Sequence, residues 1–143
     1  MMAVDTNVLV YAHRGECAFH QQAFACLKEL AEGRQAWGVP VACLHEFLSV
    51  VTNARIFRPP SSLEQAIAQV DAWLASPSSQ VLHSGAQHWP VLSDVARKAQ
   101  VQGGQFHDAR IAAICLENGV SQLLSADRDF GRFKALRVVN PLI

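Results

Sequence analysis

Asp5 interrupts an apolar run: Met2 to Val4 precede it, Thr6 and Asn7 follow, and Val8 to Ala12 resume the hydrophobic pattern. Asp127, in the segment LLSADRDF, follows another short apolar run in the same way. Asp108 stands three, four and seven residues before Ile111, Ala112 and Cys115, which on a helix puts it at the head of their apolar stripe, with Arg110 and Glu117 on the other side. Glu46 is nearly opposite the centre of the stripe formed by Leu44, Phe47, Leu48 and Val51, yet close to Cys43 and Val50, so it faces either a cleft or water. Taken singly, each acid has an ordinary use as a cap, a turn residue or a solvated side chain, and an aspartate in the first turn of a helix is favoured by the helix dipole. Taken together they imply more. Two carboxylates about 5 Å apart at an effective dielectric near 20 repel by roughly 3 kcal/mol, so a cluster needs a cation or a bound proton. Only oxygen ligands are on offer, which favours Mg²⁺ or Mn²⁺ over zinc, and such ions bind phosphate oxygens and support hydrolysis at phosphorus.

The elements that would bring these acids together alternate along the chain. Met2 to Val4 has strand character, and Asp5 or Thr6 can cap a helix over Asn7 to His13. Phe19 to Glu32 carries Phe19, Ala23, Cys26, Leu27 and Leu30 at helical spacing, with Gly33 placed to end it. Ala36 to Val39 reads as a strand, and Pro40 suits the first turn of a third helix running to about Asn53. The segment FRPPSS breaks the chain before Ser61 or Ser62 caps a fourth helix, Leu63 to Ala75. Val81 and Leu82 suggest a strand, Trp89 to Val101 a helix and QGG a loop; His107 to Glu117 is then a helix closed by Asn118 and Gly119, and Gln122 to Ser125 and Val138 to Val139 are strands. This alternation predicts an α/β fold of three layers, a central, mostly parallel sheet of short strands flanked by helices. Ligands of such sheets bind beyond the carboxyl ends of the strands, where Asp5 and Asp127 both emerge.

With 143 residues, half of them hydrophobic, the chain is expected to form one domain over residues 1–143 with a sizeable core. Twelve basic residues balance twelve acidic ones, so there is no net field to draw in a polyanion, and a nucleic-acid partner must be held by a local patch. Cys17, Cys26, Cys43 and Cys115 include no C-x-x-C pair and read as reduced. The amino terminus lacks a basic region followed by a long apolar one, and no run approaches the roughly 18 apolar residues of a membrane span. A soluble cytoplasmic protein, with no membrane partner, is the expectation.

Four segments, DTNVLVYA, LHEFLSVVTN, FHDARIAAICLENGV and LLSADRDFGRF, together extend over nearly the whole chain. In that order and spacing they resemble the signature segments of PIN-domain ribonucleases, in particular the VapC-type toxins of bacterial toxin–antitoxin pairs. The resemblance implies a PIN fold and an acidic pocket holding Mg²⁺ or Mn²⁺. Position by position, the catalytic, metal-binding acids would be Asp5, Glu46, Asp108 and Asp127. Thr6 and Asn7 match the polar residues that follow the first acid and would orient ligands or water rather than bind the ion. Ser125 stands where the family often has threonine and keeps its hydroxyl, and Asp129 competes with Asp127 for the fourth place. The implied activity is hydrolysis of an RNA phosphodiester, in tRNA or rRNA, with no covalent enzyme intermediate, Glu46 or Asp127 assisting deprotonation of the attacking water. Its consequence would be arrest of translation. A homodimer neutralised by a VapB-type antitoxin is implied as well, with the apolar third and fourth helices as candidates for the dimer surface.

Arg128, Arg132 and Lys134 follow the fourth acid, and Arg14, Arg55, Arg58 and Arg110 lie near the other motifs, so that they offer a phosphate-binding rim; each alone is equally an ordinary solvated side chain. His107 reads as a loop histidine that caps or packs on the core, and Trp37, Trp73 and Trp89 as core or interface. Two other classes compete. A phosphotransferase of the haloacid-dehalogenase type would also place a nucleophilic acid at a strand end, but its D-x-D form is broken by Asn7. A catalytically silent module that binds RNA or antitoxin would keep the fold, and loss of an acid would mark it; none is missing.

Overall fold

The computed structural model describes all 143 residues. Five strands, β1 (Met2–Val4), β2 (Trp37–Pro40), β3 (Ser79–Leu82), β4 (Gln122–Leu124) and β5 (Arg137–Val139), form one sheet in the order β3-β2-β1-β4-β5 with every pairing parallel. Six helices flank it: α1 (Thr6–His13), α2 (His20–Glu32), α3 (Val41–Val51), α4 (Leu63–Leu74), α5 (His88–Ala99) and α6 (Gln105–Glu117). Successive residues of β2 are all buried, as are the last two of β1 and of β4, so both faces of the central strands are covered and the arrangement has the three layers expected.

The order of the strands decides where a site can form. From β1 the chain steps outward through β2 to β3, then crosses to the other side of β1 to lay down β4 and β5. That reversal opens a crevice beyond the carboxyl ends of β1 and β4. Val4 pairs with Leu124, and the Asp5 amide donates to the Leu124 carbonyl at 3.0 Å, so Asp5 and Ser125 leave the sheet side by side.

Local sequence accounts for the supporting elements. Ser62 and Gln65 close a capping box at the start of α4, Ser62 Oγ accepting from the Gln65 amide and the Gln65 side chain accepting from the Ser62 amide. Phe47, wholly buried, meets Trp73 edge-on at 5.1 Å and the His13 ring at 5.3 Å, which ties α3 to α4 and α1. All four cysteines are free. No helix is long and apolar enough to cross a membrane.

Four features differ from the sequence reading. Helix α6 begins at Gln105, because Gly103 takes φ +55° and the Gln105 side chain accepts from the Gln102 amide at 2.9 Å; His107 is therefore an exposed helical residue rather than a loop histidine on the core. Trp89 is 72% exposed, since Val91, Leu92, Val95, Ala96 and Ala99 form the inner stripe of α5, whereas Trp37 and Trp73 are core residues. Glu117 is not solvent-facing: its side chain accepts from the Gly85 amide at 3.0 Å and lies 2.6 Å from His88 Nδ1. A 3-10 turn, Arg128–Arg132, follows β4 where the apolar pattern shows nothing regular, and Asp127 caps it.

Gly38, in β2, lies under Leu82, whose side-chain carbons would approach an added Cβ to 2.7 Å. Leu82 is itself 1% exposed and has nowhere to retreat. Gly38→Ala is expected to cost about 1–3 kcal/mol, seen as a fall in Tm of several degrees, with an unchanged circular dichroism spectrum at 20 °C; a Tm equal to that of the parent would show that this contact is loose.

Candidate functional site

Asp5 is the innermost acid, only 4% exposed. It is the residue before α1 with extended backbone, so its Oδ1 accepts from the Thr6 amide at 2.8 Å as an ordinary helix cap does. Cys43 of α3 donates to the same oxygen at 3.6 Å. The second oxygen accepts from Ser125 Oγ at 2.6 Å and from Asn7 Nδ2 at 3.2 Å. Four donors from three elements thus hold one carboxylate, and three of the donor residues, Thr6, Asn7 and Ser125, have a further task. Thr6 Oγ1 donates to Glu46 Oε2 at 3.2 Å; Asn7 Oδ1 accepts from the Ala126 amide at 3.2 Å; Ser125 Oγ accepts from the Asp127 amide at 3.0 Å.

The other acids arrive from three directions. Glu46 stands in the second turn of α3, exposed at the mouth, which resolves its two readings in favour of a cleft. Asp108 is in the first turn of α6 and half-buried. Asp127 caps the 3-10 turn by accepting from the Asp129 amide at 2.8 Å, a bond that brings Asp129 beside it. Asp5, Thr6, Asn7, Glu46, Asp108 and Asp127 line one cleft of about 230 Å³, together with Val10, Tyr11, Val50 and Ile111. Asp129 is outside that lining, yet a carboxylate oxygen from each of Asp108, Asp127 and Asp129 falls within 4.8 Å of the others.

Such crowding shows in the acidities. Burial, reinforced by the charges of Asp127, Asp5, Asp129 and Glu46, pushes the Asp108 carboxyl from its usual 3.8 up to about 6. Asp5 is also raised: burial outweighs the bonds from Ser125, Thr6 and Cys43, and Glu46 adds repulsion. A set of oxygen donors that includes two such raised carboxyls, Asp5 and Asp108, fits a hard divalent cation, which would relieve the repulsion, and offers nothing to a softer metal.

The basic residues are arranged differently. Arg14 is 11% exposed at its side chain and committed elsewhere: it donates to Glu16, to Ser61 Oγ and to the Pro59 carbonyl, and its guanidinium lies 4.5 Å from the centre of the Phe57 ring. Arg110 and Arg128 are exposed, Arg132 is half-buried with Nε donating to the Asp129 carbonyl, and no lysine or arginine lines the acidic cleft. Sequence reasoning missed Cys43 and Tyr11. Both sit on stripes that otherwise read as core, and only their place three residues before Glu46 and six after Asp5 marks them.

Comparison with known proteins follows the same lines. Residues 2–136 match the family model described as PIN domain. The VapC ribonuclease Mb2897 of Mycobacterium bovis is 42% identical over 142 residues, covering 99% of this chain and 96% of its own. Among solved structures, VapBC2 from Rickettsia felis, bound to a DNA fragment from its promoter, superposes with a TM-score of 0.71 at 17% identity, covering 97% of each chain. The sarcin-ricin loop cleaving toxin VapC20 of Mycobacterium tuberculosis does so with a TM-score of 0.66 at 20% identity, covering 96% of this chain and 99% of that one. At those identities the two structures speak for the fold alone.

Because its folded carboxyl is raised, Asp108 keeps a proton between about pH 4 and pH 6 that the unfolded chain has already released. Its contribution to the stability of the cation-free protein is therefore fully present below about pH 4 and lost as pH rises through about 6. In chelator, Asp108→Asn is expected to melt above the parent at pH 7.5, with the difference shrinking at pH 4.5; melts in which the variant is lower at both values would contradict the origin given for the shift.

Proposed function

The chain belongs to the PIN-domain family, and on that premise we propose that it is an endoribonuclease of the VapC type that uses Mg²⁺ or Mn²⁺ to hydrolyse RNA phosphodiesters in the acidic cleft. The observation that carries this reading is the convergence of Asp5, Glu46, Asp108 and Asp127 on one cleft at the switch point of the sheet. Those four would hold the ion, with Asp129 close enough to join Asp108 and Asp127. Bound there, a divalent cation supplies Lewis-acid polarisation of the phosphate and neutralises the charge that develops on it.

The remaining steps belong to the chain. Ser125, Asn7, Thr6 and Cys43 fix the direction of Asp5 and keep it from rotating. Water attacks phosphorus, its proton passes to a carboxylate, and the bond from phosphorus to the departing sugar oxygen breaks as that oxygen takes a proton from solvent. Glu46 is the acceptor we favour, because Oε2 is steadied by Thr6 while the side chain remains at the open mouth. The exposed Arg110 and Arg128, with Arg132 behind them, are proposed to meet the RNA backbone outside the cleft. A VapB-type antitoxin is the proposed partner, tRNA or rRNA the proposed substrate, and a homodimer the proposed assembly, with the exposed Ile56 after α3 and the exposed Leu63 and Ile67 at the start of α4 as its surface.

Purified protein freed of antitoxin is expected to cut tRNA or rRNA into discrete fragments with Mg²⁺ or Mn²⁺ and to stop with chelator. Asp5→Asn and Asp108→Asn should each lower the rate at least about a hundredfold, and Ser125→Ala about tenfold, with the fold retained. Cleavage that survives chelator, or that either Asn variant sustains at the parent rate, would overturn the assignment.

A further inference from the structure

The acidic cleft has a grip problem. Its lining holds four carboxylates and no basic side chain, the whole molecule has zero net charge, and Arg14 is tied down elsewhere. The proposed cation would meet a phosphate, but the base of a nucleotide placed there needs a contact of its own that does not depend on opposite charge. The cleft offers one aromatic side chain, the half-buried Tyr11, which is the only tyrosine of the chain. Its hydroxyl has no protein partner and is open to solvent, and its carbonyl accepts from His20 Nδ1 at 2.8 Å, anchoring the last turn of α1 to the start of α2. The Phe19 ring lies 6.0 Å from the Tyr11 ring at 54° and is itself 39% exposed. From there the aromatic surface continues along α2, where His20 and Phe24 approach to 5.7 Å and Phe24 is 54% exposed.

We propose that Tyr11, backed by Phe19, is the platform on which an unpaired base of single-stranded RNA stacks while the adjoining phosphate lies among the carboxylates. The inference rests on the ribonuclease reading above and adds to it the side chain that would grip the base beside the cleft. Every base has a π-face, so stacking grips without reading sequence and without a positive charge. An apolar segment of a protein partner would also suit Phe19 and Phe24. RNA is favoured because the platform begins inside the acidic cleft.

The test is binding by the full chain in chelator, so that nothing is cut. One probe is a short oligouridine carrying a single 2-aminopurine, whose fluorescence is quenched on stacking; the other is an abasic sugar–phosphate strand of the same length. The parent is expected to prefer the base-bearing strand by roughly tenfold and to quench its fluorescence. Tyr11→Phe should keep both properties. Tyr11→Ala should lose both, and Phe19→Ala, at an exposed position that does not endanger folding, should weaken both. Binding of the abasic strand should stay within about twofold throughout, since the phosphate contacts are untouched. Full preference in Tyr11→Ala, or equal loss for both strands, would overturn the proposal. If the parent still cuts RNA in that case, stacking alone fails; if it neither binds nor cuts any RNA, the ribonuclease reading fails with it. Loss of antitoxin binding with base preference intact would assign the aromatic strip to a protein partner and overturn the proposal equally.

Discussion

A nearly buried carboxylate is the constraint from which the rest of this structure follows. Asp5 leaves the central strand at the point where the sheet reverses direction, and at 4% exposure it has exchanged water for four protein donors. The donors come from three structural commitments. The Thr6 amide exists because Asp5 caps α1, Ser125 stands opposite because β4 pairs with β1 in that register, and Cys43 arrives because α3 follows β2 without a loop. A shift of β4 by one residue would remove the shortest of these bonds. The short apolar strands can therefore be read as a device for holding one acid still.

What the site gains from this it loses in intrinsic stability. Asp108 shows the strain, with a carboxyl pushed up to about 6 by burial and then by its four acidic neighbours, and burial raises Asp5 as well. Without a counter-ion the cleft stores repulsion that the core must offset. Functional sites are commonly such places, where local preference is overridden by what the chemistry requires. No arginine enters the cleft, where a resident side-chain cation would neutralise the acids but fill the space that the proposed ion and phosphate would need.

Much of this was legible in the chain. Asp5, Asp127 and Asp108 violate the apolar patterns around them, and that violation is readable without coordinates. The five strands were read within about two residues of their limits, because short runs such as Met2 to Val4 have no other use in a doubly covered sheet. Glu46 was not decidable, since its angle on α3 lies between the core stripe and the solvent face and only the neighbouring helices settle the matter. Asp129 was ambiguous for a related reason: the 3-10 turn that brings it beside Asp127 is made by a side-chain cap, which leaves no hydrophobic period. Cys43 and Tyr11 were invisible because a residue that packs in the core and also touches a functional group follows the core pattern. Glu117 misled, an acid drawn inward by His88 and the Gly85 amide, whereas for Trp89 only the core alternative falls, since α5 already fills its contact with smaller side chains.

The proposed function requires a divalent cation to neutralise the acidic cleft. Calorimetric titration of the chelator-treated protein with Mn²⁺ at pH 6, in two buffers of different ionisation enthalpy, tests it without reference to any RNA. Binding accompanied by release of a fraction of a proton at pH 6, which falls toward zero at pH 8, is the result the account predicts, because the Asp108 carboxyl must lose its proton to the buffer before it can bind the ion. Absence of Mn²⁺ binding, or binding with the same proton release in Asp108→Asn as in the parent, would contradict it.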